Sequence, residues 1–228
     1  MYQYNDDSLM LHNDLYQINM AESYWNDGIH ERIAVFDLYF RKMPFNSGYA
    51  VFNGLKRVVN FIENFGFTNE DITYLKSIGY EEDFLNYLKD LKFTGNIKSM
   101  QEGEICFGNE PLLRVEAPLI QAQLIETILL NIINFQTLIA TKASRIRQIA
   151  THDTLMEFGT RRAQEIDAAL WGARAAFIGG FDSTSNVRAG KLFNIPVSGT
   201  HAHALVQTYG DEYIAFKSML SDIKIVCS

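Results

Sequence analysis

Two histidines, His201 and His203, stand two residues apart in the stretch SGTHAHALVQ (198–207), directly after Gly199 and Thr200. A neutral imidazole is a competent nucleophile toward a phosphoryl group, and a common metal ligand. The residues alone leave three readings open: a metal clamp, a catalytic pair, or ordinary residues at a strand end. Metal binding is the weakest by ligand count, because zinc takes roughly three or four protein ligands. The chain has five histidines in all, and its two cysteines, Cys106 and Cys227, show no ligand spacing. An arginine pair, Arg161 and Arg162, follows Gly159, and Asp182 follows Gly180. The planar fork of arginine matches carboxylate and phosphate oxygens. Being adjacent, the two arginines cannot point the same way, so one is expected to face the site. Asp182 could hold Mg²⁺ with an anionic ligand, but capping the segment STSNVRAG is the simpler role. Tyr16 offers a flat ring and a hydroxyl, although Leu15, Tyr16 and Ile18 could equally pack the first helix.

These residues need elements to position them. After residue 153, apolar pieces at TLMEFG, AAFIGGF and IPVSGTH read as strands. RRAQEIDAALWGAR and TSNVRAGKLFN read as the helices between them. That rhythm predicts an α/β architecture with parallel strands. Glycine and polar residues gather after each strand, and in parallel folds ligands bind at the carboxyl ends of strands.

Upstream, LHNDLYQINMAESYWNDG predicts a helix capped by Asn13 or Asp14. RIAVFDLYFRKMP alternates like a strand, and AVFNGLKRVVNFIENFG predicts a helix with Leu55, Val58, Val59 and Ile62 on one face. Thr68 and Asp71 form a capping-box pattern, and YEEDFLNYLKDLKF adds another helix. FTGNIKSM, EICF and LLRVEAP predict short strands, the last with Leu113, Val115 and Ala117 on one side. From Pro118, LIQAQLIETILLNIINFQTLIATKASRIRQIA predicts one or two core helices. Gln121, Gln123, Glu126 and Asn131 interrupt the apolar face, and no segment reaches the roughly 18 uninterrupted apolar residues of a membrane helix.

The bulk numbers exclude several classes. With 228 residues and 47% hydrophobic content, the chain is globular. Its formal net charge of -7 argues against diffuse nucleic-acid binding, so anionic ligands would need local groups. The sequence MYQYNDDSLM lacks a signal-peptide pattern, and a reducing cytoplasm is the expected compartment.

Five blocks occur in order from residue 13 to about 207: NDLYQINMAESYW, FDLYFRKMP, EFGTRRAQ, GGFDSTSNVRAG and GTHAH. Together they resemble the nicotinate phosphoribosyltransferase family. The resemblance implies an N-terminal sandwich-like α+β domain, residues 1–118, followed by a helical linker and part of an irregular parallel (β/α) barrel, residues 119–228. It implies a homodimer with shared active sites, into which the Tyr16 segment reaches from a neighbouring subunit. It also implies a reaction of nicotinate with phosphoribosyl pyrophosphate to nicotinate mononucleotide and pyrophosphate, in NAD synthesis. ATP hydrolysis would be coupled through a phosphohistidine matching His203, with Mg²⁺ as cofactor. Tyr16, Arg161, Gly199 and Thr200 match substrate-binding positions, and His201 is expected to be structural. Family members are about twice this length. The barrel strands that carry a second nicotinate-contacting arginine and the phosphate-holding loops are not found here, and SDIKIVCS does not match the family's continuation. The alternative is an inactive fragment that dimerises or binds nicotinate. A relative preferring nicotinamide or quinolinate is a further reading.

Overall fold

The computed structural model describes residues 9–222. The tail IKIVCS, with Cys227 and the strand the sequence suggested there, lies outside them, as does the N-terminal MYQYNDDS.

A three-stranded antiparallel sheet opens the fold: β1 (Ile33–Leu38), β3 (Asn96–Ser99) and central β5 (Leu113–Pro118). Leu113, Val115 and Ala117 are buried, while Arg114 and Glu116 face out, as the alternation predicts. Opposite Arg114, Asp37 on β1 accepts two hydrogen bonds from its guanidinium, both 2.7 Å. Arg114 holds the Asp37 carboxyl below the ordinary range. Helix α1 (Leu15–Asn26) precedes this sheet. A short ladder, β2 (Ala50–Val51) with β4 (Ile105–Cys106), and helices α2 (Leu55–Glu63), α3 (Asn69–Ser77) and α4 (Glu82–Asp90) complete the first part. Thr68 and Asp71 make the predicted reciprocal capping box on α3.

Two expectations change here. Asp14 stands at the N-cap of α1 but makes no capping bond. Its carboxylate instead accepts from the Thr127 hydroxyl at 3.4 Å, and Asn13 donates to the Leu124 carbonyl at 2.6 Å. The predicted helix over AVFNGLKRVV starts only at Leu55, because Ala50 and Val51 pair with β4. Its buried positions are Val58 and Phe61, and Val59 is exposed.

Helix α5 (Leu119–Ile149) is one continuous element of 31 residues, about 46 Å long at 1.5 Å per residue. By length and composition alone it could cross a membrane. Here it is the spine of the protein. Ile120, Leu124, Ile125, Ile128 and Ile133 are buried in a single core with Phe52, Phe84, Leu88 and Val115. Its buried polar residues accept main-chain donors: Gln121 from Thr94 N–H at 2.8 Å, Thr137 from Asn53 N–H at 3.1 Å, Thr141 from Val51 N–H at 2.9 Å. Those donors would otherwise be orphaned in the core. Cys106 is buried beside them, and burial pushes its thiol up to about 11.

The second part is parallel. Strand β6 (Met156–Glu157) pairs with β7 (Ser183–Thr184), and Thr184 forms a further parallel bridge to Val197. Helices α6 (Glu165–Ile178) and α7 (Val187–Phe193) make the crossovers, and α8 (His203–Tyr209) and α9 (Glu212–Asp222) follow. The α/β class is as expected, but one strand is not. AAFI closes helix α6, and the strand falls later at Ser183–Thr184. An alanine-rich stretch is a strong helix former, and helix wins over the local apolar run.

Helix α6 is held to the first part in two ways. Gly179 follows its end so closely on α5 that an added Cβ would come 2.4 Å from the Ala140 carbonyl oxygen. Two ion pairs add to this, Arg57 with Asp167 at 2.7 Å and Arg174 with Glu102 at 2.6 Å, all largely buried except half-buried Asp167.

Candidate active site

Because β6, β7 and Val197 run parallel, the three segments leaving them emerge from one edge. The first exit carries Gly159, Thr160, Arg161 and Arg162. A 3-10 turn, Thr160–Arg162, is fixed by the Gly159 carbonyl, which accepts from Arg162 N–H at 2.8 Å and Ala163 N–H at 3.0 Å. Both guanidinium groups are exposed. The second exit carries Ser185 and Asn186; Asn186 caps α7, accepting from Ala189 N–H at 3.0 Å. The third carries Ser198, Gly199, Thr200 and His201, anchored where Ser198 N–H donates to Thr184 O at 3.0 Å. Glu157 ties the first exit to the second. One carboxylate oxygen accepts from the Thr184 hydroxyl at 2.7 Å, the other from Gly159 N–H. A cleft of about 340 Å³ beside the first and second exits is lined by Thr160, Ala163, Glu165, Asn186 and Arg188 among others, and by no residue of the third exit. Glu165 adopts φ 77°, a left-handed conformation uncommon outside glycine.

The histidines depart from the strand-end expectation. His201 lies in an irregular segment and His203 is the first residue of α8, so no strand puts them on one face. Both are exposed. The His201 ring sits edge-on to Phe216 with centroids 4.8 Å apart. The Thr200 hydroxyl is exposed and at 3.4 Å from the His201 carbonyl oxygen, and around Gly199 there is open space.

Asp182 does not cap the segment STSNVRAG, as was expected of it. Its carboxylate accepts from Leu155 N–H at 2.7 Å and from Arg147 at 2.5 Å. Leu155 first, then Arg147, hold its carboxyl below the ordinary range. The cap of α7 is Asn186 instead. Among the described residues no group of three or more His, Cys, Asp and Glu side chains is placed to hold a metal.

Tyr16 is elsewhere. It is 52% exposed on α1 and lines a cleft of about 560 Å³ with Tyr39, Arg41, Glu126 and Asn131. No residue of the three exits lines that cleft. Gln17 donates to its hydroxyl at 3.0 Å.

Residues 11–134 match the family model of the nicotinate phosphoribosyltransferase (NAPRTase) N-terminal domain. The chain belongs to the nicotinate phosphoribosyltransferase family. It is 66% identical over 217 residues to nicotinate phosphoribosyltransferase of Bacillus subtilis, covering 95% of this chain and 44% of that protein. Nicotinate phosphoribosyltransferase 2 of Arabidopsis thaliana is 45% identical over 222 residues, 94% of this chain and 40% of its own length. The crystal structure of the human nicotinic acid phosphoribosyltransferase superposes with a TM-score of 0.81 at 39% identity, over 86% of this chain and 40% of that one. A nicotinate-nucleotide pyrophosphorylase from Pyrococcus furiosus shares the fold, with a TM-score of 0.79 at 24% identity. The chain thus spans less than half the length of these curated relatives.

Within this family member, Glu157, Thr184 and Asn186 were not singled out by sequence reasoning, though they organise the exits. For Thr184 and Asn186 a usable signal existed, since each is a short polar residue beside a serine where main-chain donors need acceptors, whereas Glu157 stands between Met156 and Phe158 and gave none.

Proposed function

We propose that this chain carries the nicotinate-binding and phosphate-accepting part of a nicotinate phosphoribosyltransferase. The ring nitrogen of nicotinate attacks the anomeric carbon of phosphoribosyl pyrophosphate. A C–N bond forms, the C–O bond breaks, and pyrophosphate leaves with the bonding pair. Positive charge builds on the ribose, so positioning and electrostatics dominate over acid–base work. Arg161 pairs with substrate oxygen anions, and Gly199 with Thr200 lets a carboxylate approach and receive a hydroxyl. Tyr16 stacks on the pyridine in the site of a second subunit, which is why its place away from the exits of its own chain suits a homodimer with shared sites. His203 takes the γ-phosphoryl group of ATP on a ring nitrogen, releasing ADP, and water later returns it as phosphate. Mg²⁺ arrives with the pyrophosphate and ATP, where it neutralises oxygen charge, and no protein ligand for it is assigned. The cytoplasm is the setting.

One observation carries this reading: parallel pairing through Thr184 brings the Arg161 exit and the Thr200–His203 exit to one edge. Its test is labelling with γ-³²P-ATP and Mg²⁺. The wild type takes up acid-labile phosphate, and His203→Ala takes up none while keeping its circular dichroism spectrum. Label persisting on that variant overturns the assignment. The coverage of 44% of the Bacillus subtilis relative favours a second reading, a fragment that binds nicotinate or dimerises without turnover. Formation of nicotinate mononucleotide from nicotinate, phosphoribosyl pyrophosphate, ATP and Mg²⁺ excludes it.

A further inference from the structure

Thr184 stands where all three strand exits meet. It lies opposite Glu157 in the parallel register of β6 and β7. Its main chain reaches the third segment: Thr184 N–H donates to Pro196 O, and Ser198 N–H donates to Thr184 O, both at 3.0 Å. The residue is fully buried, and its hydroxyl is used twice. The hydroxyl donates to Glu157 Oε2 at 2.7 Å and accepts from Asn186 N–H, on the second exit, at 3.0 Å. The other Glu157 oxygen accepts from Gly159 N–H, at the root of the turn that carries Arg161. A ladder two residues long has few main-chain bonds to fix how its exits lie, so this side-chain bridge supplies much of the constraint. Gly159 makes room for the same carboxylate. Its φ of -88° is open to any residue, so the backbone does not call for glycine there. A Cβ at this position would come 2.6 Å from Glu157 Oε1, and beyond its chain neighbours it would meet no other residue within 4 Å.

We infer that Thr184, acting through Glu157, is a positioning residue for Arg161: its buried hydroxyl sets the Gly159–Arg162 turn against the Thr200–His203 exit. The inference rests on the proposed role of Arg161 toward substrate anions. A guanidinium gains its full hold on an oxyanion only when its fork is aligned. An exit that wanders therefore loses affinity without losing the cation. Thr184 is buried and reaches no ligand itself, so its effect must pass through the turn.

The experiment reads the turn and the ligand separately. Amide hydrogen exchange by NMR follows Gly159, Arg162 and Ala163, whose N–H groups are all bonded at the turn. Calorimetric titration follows phosphoribosyl pyrophosphate with Mg²⁺. Thr184→Val keeps the side-chain shape and removes the hydroxyl. It is expected to speed exchange at the three amides about tenfold and to weaken the ligand about tenfold, the worth of roughly one hydrogen bond. Thr184→Ser keeps the hydroxyl and is expected to stay near wild type in both. Gly159→Ala leaves Thr184 in place but displaces the carboxylate, and is expected to behave like Thr184→Val; it answers the question if Thr184→Val does not fold. In an Arg161→Ala background, Thr184→Val is expected to cost no further affinity, since nothing remains for it to position. Unchanged exchange at the turn in both Thr184→Val and Gly159→Ala overturns the inference. So does an affinity loss of the same size with and without Arg161, which is what a merely structural hydroxyl would give. Wild-type affinity in Arg161→Ala alone, or no saturable binding to begin with, refutes the proposed site itself, and the inference falls with it.

Discussion

Glu102→Gln tests how the parallel segment is fixed to the first part of the chain. The Glu102 carboxylate accepts from Arg174 at 2.6 and 3.0 Å, and from Gly54 and Lys56 N–H at 2.9 and 3.3 Å. Its side chain is 16% exposed and that of Arg174 12%. Glutamine keeps the shape but sets its amide donors against the guanidinium, leaving the Arg174 charge unmatched. Breaking a buried pair from one side costs about 3–5 kcal/mol. Arg174 retains Asn53 Oδ1 at 3.3 Å and the Phe193 ring at 5.7 Å, so the low end, about 3 kcal/mol, applies. For a chain of this size that lowers the thermal midpoint by roughly 6–12 °C. The effect has a pH signature. Burial pushes the Glu102 carboxyl up, but Arg174 and the two N–H donors outweigh it, and the net shift is downward. A depressed folded-state value means the stabilisation is complete above the unfolded value, about 4.3, and is lost as pH falls through the folded one. Differential scanning calorimetry of both proteins at pH 7 and at descending acid pH therefore shows a gap that closes on acidification. The double variant with Arg174→Met recovers much of the loss. A midpoint change under about 2 °C at neutral pH, or a gap of constant size across the series, refutes the argument.

Two further substitutions probe the site and the packing that supports it. Arg161→Ala is expected to weaken nicotinate or phosphoribosyl pyrophosphate binding about 10- to 100-fold by calorimetric titration, and Arg162→Ala much less; the reverse order means the other arginine faces the ligand. Gly179→Ala puts a Cβ 2.4 Å from the Ala140 carbonyl oxygen and 2.6 Å from the Ala143 Cβ. Neither atom can swing aside, so urea denaturation should show a loss of about 3 kcal/mol. Gly48→Ala, with nothing within 4 Å, is the control and should stay within about 0.5 kcal/mol.

The parts of the fold that bury long regular elements were legible. Strict alternation in β5 and the wide apolar face of α5 reflect real burial over many residues, and the Thr68 capping box is a local pattern that needs no tertiary context. The parallel segment was not legible in detail. Its strands are two residues long, too short for any period to show, and β7 is the polar pair Ser183–Thr184, which is nonetheless buried. The apolar run AAFI beside it drew the strand assignment into the end of α6. The expected site residues rest on EFGTRRAQ and GTHAH as blocks, and nothing in those blocks marks His203 as the first residue of a helix.

Short strands also explain why Asp182 was misread. A two-residue strand satisfies few main-chain donors, and those just beyond it must find side-chain acceptors. Around these strands the acidic and amide side chains do that work: at the entry edge Asp182 takes Leu155 N–H, and at the exits Glu157 takes Gly159 N–H and Asn186 takes Ala189 N–H. Arg161, Arg162 and Arg188 make no side-chain hydrogen bond or ion pair among the described residues, and all three are exposed. The division leaves cations toward solvent and ties most of the anions down, so the edge favours negatively charged ligands although the chain as a whole carries -7. A carboxylate near a glycine beside a strand is therefore weak evidence for a metal ligand wherever the strand itself is this short.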